Sequence, residues 1–344
     1  MMTTSGNPPK HRILAQDGRS PSPQQTSAGS KPGAKRGRSP RTYGANKMVR
    51  HHAKRGRLSK ENTIIETPMS SLSLCPPPVI HPFSDQEASI EWGERLDADM
   101  ISGSDSERKT FFFKVKIYSK PYVLKVFKFI DPLTKIWNWR DRLGEEYPLE
   151  KAIVYTDPFY AECRAYGRIQ EAMDKGEISG KIATKCHGYT FLNADTQRWL
   201  EDQGIYLGTE RLNDELLPIV GGAGRPRAIV KDFEIAGPAL SNQTPQQIRN
   251  SFRNVRQLNT LGIYNRDVRA ENFRNGWLID FDLSYTLPHD IYNVFPPFEA
   301  EETQAGDVAM FDDILDEAGV NLRFLANKDF NLRPRLKRIQ YEGL

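Results

Sequence analysis

The 344-residue sequence predicts an α+β fold of two lobes, the second shortened, behind a disordered basic N-terminal arm. Three observations lead there. Charge divides sharply along the chain, apolar patterning fit for a core begins only near residue 84, and the body runs strand, hairpin, helix, two strands, long helix, loop, strand. The expected divisions are 1–83 for the arm and its Pro-rich linker, 84–233 for the first lobe with an insertion, and 234–344 for the second lobe and tail.

The arm is read from charge and composition. Residues 1–60 hold 14 Lys and Arg against one acid, Asp17, a net of +13, whereas the remainder holds 34 basic and 43 acidic residues, a net of −9. Gly, Pro, Ser and Gln fill the rest of the arm, leaving too little apolar surface to offset the ~1–2 kcal/mol per residue that ordering a backbone costs. Ala-Lys-Arg-Gly-Arg occurs twice, at 34–38 and 53–57. Lys35, Arg36, Arg38, Lys54, Arg55 and Arg57 therefore suit the acidic groove of an importin, a DNA minor groove, or solvent alone. Residues 35–41 also form a degenerate AT-hook with Ser39 in place of proline. Ser20, Ser22, Ser39 and Thr67 each precede proline and suit proline-directed kinases, and residues 66–83 read as a semi-extended linker.

Cys75, Cys163 and Cys186 are too scattered for a disulfide framework, which predicts a reducing compartment. The first residues lack the apolar centre of a secretory signal and no run approaches the ~18 apolar residues of a membrane span, so no membrane role is expected.

In the body, residues 90–95 read as an opening strand, and 110–117 with 122–127 as a hairpin turning at 118–121. After an insertion rich in aromatics (Trp137, Trp139, Tyr147, Tyr155), residues 160–173 show an apolar face at helical spacing. Those aromatics either pack the insertion onto the first lobe or form a partner surface. Residues 186–192 and 228–233 are short apolar strands, and 245–261 is a helix with Ile248, Phe252, Val255 and Leu258 on one side, capped by Thr244 with Pro245 following. An acidic amphipathic helix is expected at 307–318, and Arg333, Arg335, Lys337 and Arg338 form a basic, solvated tail.

The chemistry concentrates in residues 265–282, Asn-Arg-Asp-Val-Arg-Ala-Glu-Asn-Phe-Arg-Asn-Gly-Trp-Leu-Ile-Asp-Phe-Asp. This stretch resembles a protein-kinase catalytic loop running into the magnesium-binding strand. Phosphoryl transfer asks for a carboxylate at the attacking hydroxyl, oxygen ligands for Mg²⁺ and cations on the phosphates. The resemblance puts Asp267 and Arg269 in the catalytic loop, and Asn272 and Asp280 on the metal. Asp316 and Asn321 repeat the Asp267–Asn272 spacing without the helix before or the strand after. Val123-Leu124-Lys125 resembles the Val-Ala-Ile-Lys strand, making Lys125 the nucleotide-binding lysine and Glu162, on the next helix, its partner. On the plainer reading Lys125 is a solvated charge and Glu162 pairs with Arg164 or Lys125 at a surface. Carboxylates gathered at Asp267, Asp280 and Asp282 require a cation or protons to coexist.

Departures from the kinase pattern are equally specific. No Gly-x-Gly-x-x-Gly precedes residue 110, residues 101–107 supplying one glycine and two acids instead; Asp282 replaces the glycine of Asp-Phe-Gly, and Asn265 the catalytic-loop histidine. No Ala-Pro-Glu follows. The short step to Ile-Asp-Phe-Asp is closer to RIO-type kinases, choline kinase and aminoglycoside phosphotransferases.

Residues 157–168 (Asp-Pro-Phe-Tyr-Ala-Glu-Cys-Arg-Ala-Tyr-Gly-Arg), 185–189, 227–232, Asp267-Val268-Arg269 with Asn272, and 286–289 together resemble the fungal kinetochore Sim-four complex subunit Fta-two family over roughly 85–295. That resemblance implies a kinase-like, pseudokinase scaffold in the fungal nucleus, associated with kinetochore proteins at the centromere. The alternative is an active, Mg²⁺- and ATP-dependent atypical phosphotransferase, and a third reading is a chromatin binder working through the arm.

Overall fold

The computed structural model describes residues 75, 77–84, 89–97, 108–130, 143–144, 146–235, 237–238 and 240–324. The expectations for the basic arm, for residues 101–107, for Trp137 and Trp139 and for the basic tail lie outside them.

The body is α+β. Strands β1 (Ile90–Arg95), β2 (Thr110–Ile117) and β3 (Lys120–Phe127) form an antiparallel meander, joined by β4 (Cys186–Phe191) and β5 (Arg227–Asp232) in the order β1-β2-β3-β5-β4. The β2–β3 turn is shorter than the sequence reading. Tyr118 and Ser119 both take positive φ, 49° and 63°, the two-residue hairpin geometry that matches strand twist, and β3 begins at Lys120. Pro121 fits within this strand because β5 pairs with β3 only from Tyr122 onward, so its missing N–H forfeits no ladder bond on that side.

Period-two alternation assigns the two faces of the sheet. Phe111, Phe113, Val115 and Ile117 of β2 join Leu124 and Val126 of β3 and Ala228 and Val230 of β5 in one apolar cluster. Residues after β4 cover that face, with Leu200 of α3 (Ala194–Asp202), Ile205 and Leu207 completing the cluster. Ile229 and Phe127 belong to the opposite cluster, beneath α2 (Pro158–Asp174) with its Phe159, Tyr160, Cys163 and Tyr166. Asp157 caps α2, its carboxylate accepting from Phe159 N at 2.9 Å, and Pro158 opens the first turn.

Helix α1 (Leu149–Thr156) lies in the insertion, where no helix was expected; its last residues, Ile153, Val154, Tyr155 and Thr156, are all β-branched or aromatic and mask a helical signal. Tyr147 and Tyr155 do not simply pack the insertion onto the sheet. Both hydroxyls donate to Asp290, at 2.5 and 3.2 Å, tying the insertion to the segment that follows the metal-type strand.

Helix α4 (Pro245–Thr260) starts with a full capping box between Thr244 and Gln247. Beyond it lie β6 (Ile263–Tyr264), β7 (Phe273–Arg274), β8 (Trp277–Leu278) and β9 (Tyr285–Thr286), paired as β6-β9 and β7-β8. Asn275 and Gly276, at φ 52° and 84°, make the β7–β8 turn. After the short α5 (Ile291–Val294), α6 (Pro297–Glu317) begins ten residues before the expected 307. Pro297 at its first turn starts it, and the intervening Glu-Ala-Glu-Glu-Thr-Gln-Ala-Gly gives no apolar stripe by which to see it.

The described part of the segment read as a linker, residues 77–83, is extended, as expected, and docked. Ile80 N donates to Cys163 O at 3.1 Å, Phe83 N to Tyr189 O at 2.8 Å and Tyr189 N to His81 O at 3.2 Å, while Cys75, Ile80 and Phe83 are buried. Two glycines admit this strap. A Cβ at Gly167 of α2 would lie 2.5 Å from Val79 Cα, and one at Gly188 of β4 2.7 Å from His81 O.

Gly167→Ala separates two opposed effects. Helix propensity alone favours alanine by ~1 kcal/mol, whereas overpacking against backbone costs ~1–3 kcal/mol. In the full chain the substitution is expected to lower stability in urea denaturation and to speed hydrogen exchange at residues 77–83. In a chain lacking residues 1–84 it is expected to raise stability, and the same sign in both backgrounds would show that the strap does not press on this helix.

Candidate functional site

The loop between β6 and β7 is positioned by one buried carboxylate. Asp307 of α6 is fully buried and accepts from Asn265 N and Arg266 N, both at 2.8 Å, and from Asn259 Nδ2 of α4 at 2.7 Å. Burial raises its pKa, and the two backbone donors oppose that rise. Arg266 takes φ 66° and lays its guanidinium 3.8 Å from the Tyr285 ring centroid, turning the chain so that Asp267 follows on the cleft side. Asn265 links the loop to the metal-type strand: its Oδ1 accepts from Asp267 N at 3.1 Å and its Nδ2 donates to Asp280 O at 2.6 Å.

Asp267, Arg269 and Asn272 meet. Arg269 Nη2 donates to Asp267 Oδ2 at 2.6 Å, and Asn272 Nδ2 donates to the same oxygen at 3.0 Å and to Asp267 O at 2.9 Å. Burial raises the Asp267 pKa despite Arg269. Ile279 N donates to Asn272 O at 3.0 Å, fixing the loop's end against the start of the Asp280 segment. Phe281 is buried, edge-on to Tyr166 of α2 at 5.1 Å, which anchors the segment that carries Asp280 and Asp282.

Those two carboxylates belong to a closed ionic cluster. Lys125 of β3, fully buried, places Nζ 2.6 Å from Glu162 Oε2, 2.6 Å from Asp280 Oδ1 and 3.3 Å from Asp282 Oδ2. Lys231 of β5 grips the other Glu162 oxygen at 2.5 Å and donates to Ile279 O at 2.8 Å. Two cations thus face three carboxylates. Burial favours neutral Lys125, but Asp280, Asp282 and Glu162 overcome it and raise its pKa. Burial likewise raises the Asp280 carboxyl, and Lys125 and Lys231 outweigh it to hold the group low. Asp282 takes the imbalance: burial, and then the neighbouring Asp280 charge, raise its pKa to about 7.

The residues named from sequence fall into two adjoining groups, Lys125–Glu162–Asp280 and Asp267–Arg269–Asn272, linked through Asn265 and the Ile279 backbone. The plainer reading of Lys125 and Glu162 as surface charges does not hold, since both are fully buried, and Glu162 pairs with Lys231 rather than Arg164. Arg164 instead donates to Thr286 O at 2.6 Å and to Pro288 O. Sequence reasoning missed Lys231 and Asp307. Asp307 stands one helical turn before Phe311 on an apolar stripe, and Lys231 follows directly on the apolar run Ala228-Ile229-Val230; a charge set against an apolar pattern was the available signal.

A magnesium-nucleotide complex fits this arrangement poorly. Asp280 Oδ1 is occupied by Lys125 and by Asp282 N at 3.1 Å, and among the described residues no group of three or more His, Cys, Asp or Glu is arranged to hold a metal ion.

A family model described as kinetochore Sim4 complex subunit FTA2 matches residues 68–285. Among solved structures the chain is similar to WaaP in complex with acyl carrier protein, at 13% identity and TM-score 0.31, over 69% of this chain and 80% of that one. It is also similar to the Neurospora crassa PAN3 pseudokinase, at 12% and 0.30, over 79% of this chain and 57% of that one. The ROP18 kinase domain in complex with AMP-PNP and sucrose gives 11% and 0.29, over 79% and 90%. These likenesses are too distant to bear on function, and the kinase-like assignment rests on the strand order and side-chain placements above. No curated protein matches the chain.

The raised Asp282 pKa sets a direction with pH. Its folded pKa lies above the unfolded value of ~3.9, so its contribution is present in acid and lost as pH rises through about 7. Asp282→Asn removes that loss. Urea denaturation is expected to show the variant gaining on the native protein by on the order of 1–3 kcal/mol between pH 5 and pH 8. A difference that stays flat or falls over this range would contradict the shared-proton cluster.

Proposed function

Because the chain belongs to the kinetochore Sim4 complex subunit FTA2 family, we propose that it is a kinase-fold scaffold of the fungal nucleus, binding other kinetochore proteins at the centromere without transferring phosphate. The supporting observation is the closed cluster. A phosphate-anchoring lysine keeps its helix glutamate as a partner and must still reach the phosphates. Lys125 is instead shared among three carboxylates, and the second lysine, Lys231, is spent on Glu162. Asp282, standing where kinases carry glycine, adds the third of those carboxylates. An incoming polyphosphate would find both lysines of the cluster already shared among carboxylates. The basic arm, through Lys35, Arg36, Arg38, Lys54, Arg55 and Arg57, supplies nuclear import or a DNA contact in this reading.

One observation favours the alternative, an atypical ATP- and Mg²⁺-dependent phosphotransferase: Asn272 and Arg269 both hold Asp267 Oδ2, which orders that carboxylate at the cleft. A thermal-shift titration separates the readings. No shift with millimolar Mg²⁺ and ATP is expected; a stabilisation near the ~2.7 kcal/mol of a hundredfold excess over Kd, lost in Asp280→Ala, would establish nucleotide use. A fluorescently tagged chain is expected at centromeres, and equally so with Asp267→Ala. A chain that stays off centromeres throughout mitosis would end the scaffold reading.

A further inference from the structure

Helix α4 carries Arg249, Arg253 and Arg256 and not one acidic residue. At 3.6 residues per turn the three lie within roughly 60° of one another, opposite the buried Ser251 and Leu258 and turned away from Ile248 and Val255. All three are exposed, and none of their guanidinium groups makes a hydrogen bond, ion pair or ring contact among the described residues. They stand out against the rest of the body, where 43 acids outnumber 34 bases after residue 60.

We propose that this arginine stripe is the docking surface for an acidic, helical or extended segment of a protein partner. Charge selects the occupant. The chain's own basic arm carries +13 and its last twenty residues carry five bases against two acids, so neither terminal segment complements three more cations. A duplex nucleic acid is disfavoured as well: the stripe spans only about 10 Å along the helix axis, and three cations release too few counterions for the binding that six to ten phosphate contacts provide. The acidic body would moreover repel a polyanion that extends past the stripe. Arginine forks at i, i+4 and i+7 instead match carboxylates at the same spacing, each pair able to form two parallel N–H···O bonds. Firm packing of α4 through Val255 and Leu258 keeps the surface rigid, which limits the ordering cost of docking.

This surface names where the scaffold reading would be executed, but its test does not need kinetochore membership. Full-length chain is mixed at physiological salt with a synthetic 25-residue peptide bearing glutamates at i, i+4 and i+7, with the same peptide carrying lysines, or with a 20-base-pair duplex, and hydrogen exchange is followed residue by residue. The glutamate peptide is expected to protect residues 245–260, and Arg249→Glu, Arg253→Glu, Arg256→Glu together to weaken that protection at least tenfold in peptide concentration. An Arg→Gln triple variant with unchanged Tm is expected to fall between. Binding of the glutamate peptide to the arm alone, equal protection of α4 by the duplex, or a crosslink in the free chain between α4 and the acidic residues 98–107 would each overturn the assignment.

Discussion

The structure depends on one lysine being shared. Lys125 reaches from the sheet to Glu162 on α2 and to Asp280 and Asp282 beyond the loop, joining three parts of the chain that sequence separates by 37 and 155 residues. Buried charges of this kind are costly to leave unpaired, each carrying a desolvation penalty of several kcal/mol. The penalty explains why Lys231 is present: with its cation on the second Glu162 oxygen and its donation to Ile279 O, every oxygen of the helix carboxylate has a partner. What remains unbalanced is carried by Asp282 as a proton. The cluster therefore serves as a structural closure whose charge is nearly self-contained.

Around the cluster, polar groups do the positioning that ligands do elsewhere. Asp307 holds two backbone amides of the loop, and Asn265 spans the loop and the Asp280 strand with one oxygen and one nitrogen. Asp157 does similar work for the helix, capping α2 while its other oxygen takes Arg227 at 2.9 Å, and Arg227 in turn lies 4.0 Å from the Phe129 ring. These are charge-assisted hydrogen bonds in a low-dielectric interior, stronger than neutral ones and intolerant of losing one partner. They fix the loop's shape through the chain's own side chains. Shape retained in this way is what an interaction module needs, and the order imposed on Asp267 follows from the same bonds.

Much of this was legible in the sequence because strand alternation and helix caps are local. Residues 90–95 and 110–117 read directly as strands, the second from its run of Phe111, Phe112 and Phe113 followed by Val115 and Ile117 alternating with Lys114 and Lys116, and Thr244-Pro245 marked the start of α4. The kinase-type residues were legible as a spacing that follows a long helix and precedes an apolar strand. What sequence concealed was long-range. Nothing adjacent to Lys231 indicates that it meets Glu162 sixty-nine positions away, and nothing adjacent to Tyr147 or Tyr155 indicates Asp290. The docking of Ile80 and Phe83 depended on glycines at 167 and 188 whose reason appears only once the strap crosses them. Helix α6 began early because proline geometry, not apolar periodicity, sets its first turn.

The claim that the cluster is a self-balanced structural lock is tested most directly by removing its shared cation and then removing the charges that cation balances. Urea denaturation of Lys125→Met is predicted to show a loss of about 3–5 kcal/mol, the cost of stranding buried carboxylates. Adding Asp280→Asn and Asp282→Asn, which leaves Glu162 with Lys231, is predicted to restore more than half of it. A Lys125→Met variant within ~1 kcal/mol of the native protein, the worth of a solvated surface pair, with no recovery in the triple variant, would contradict the account.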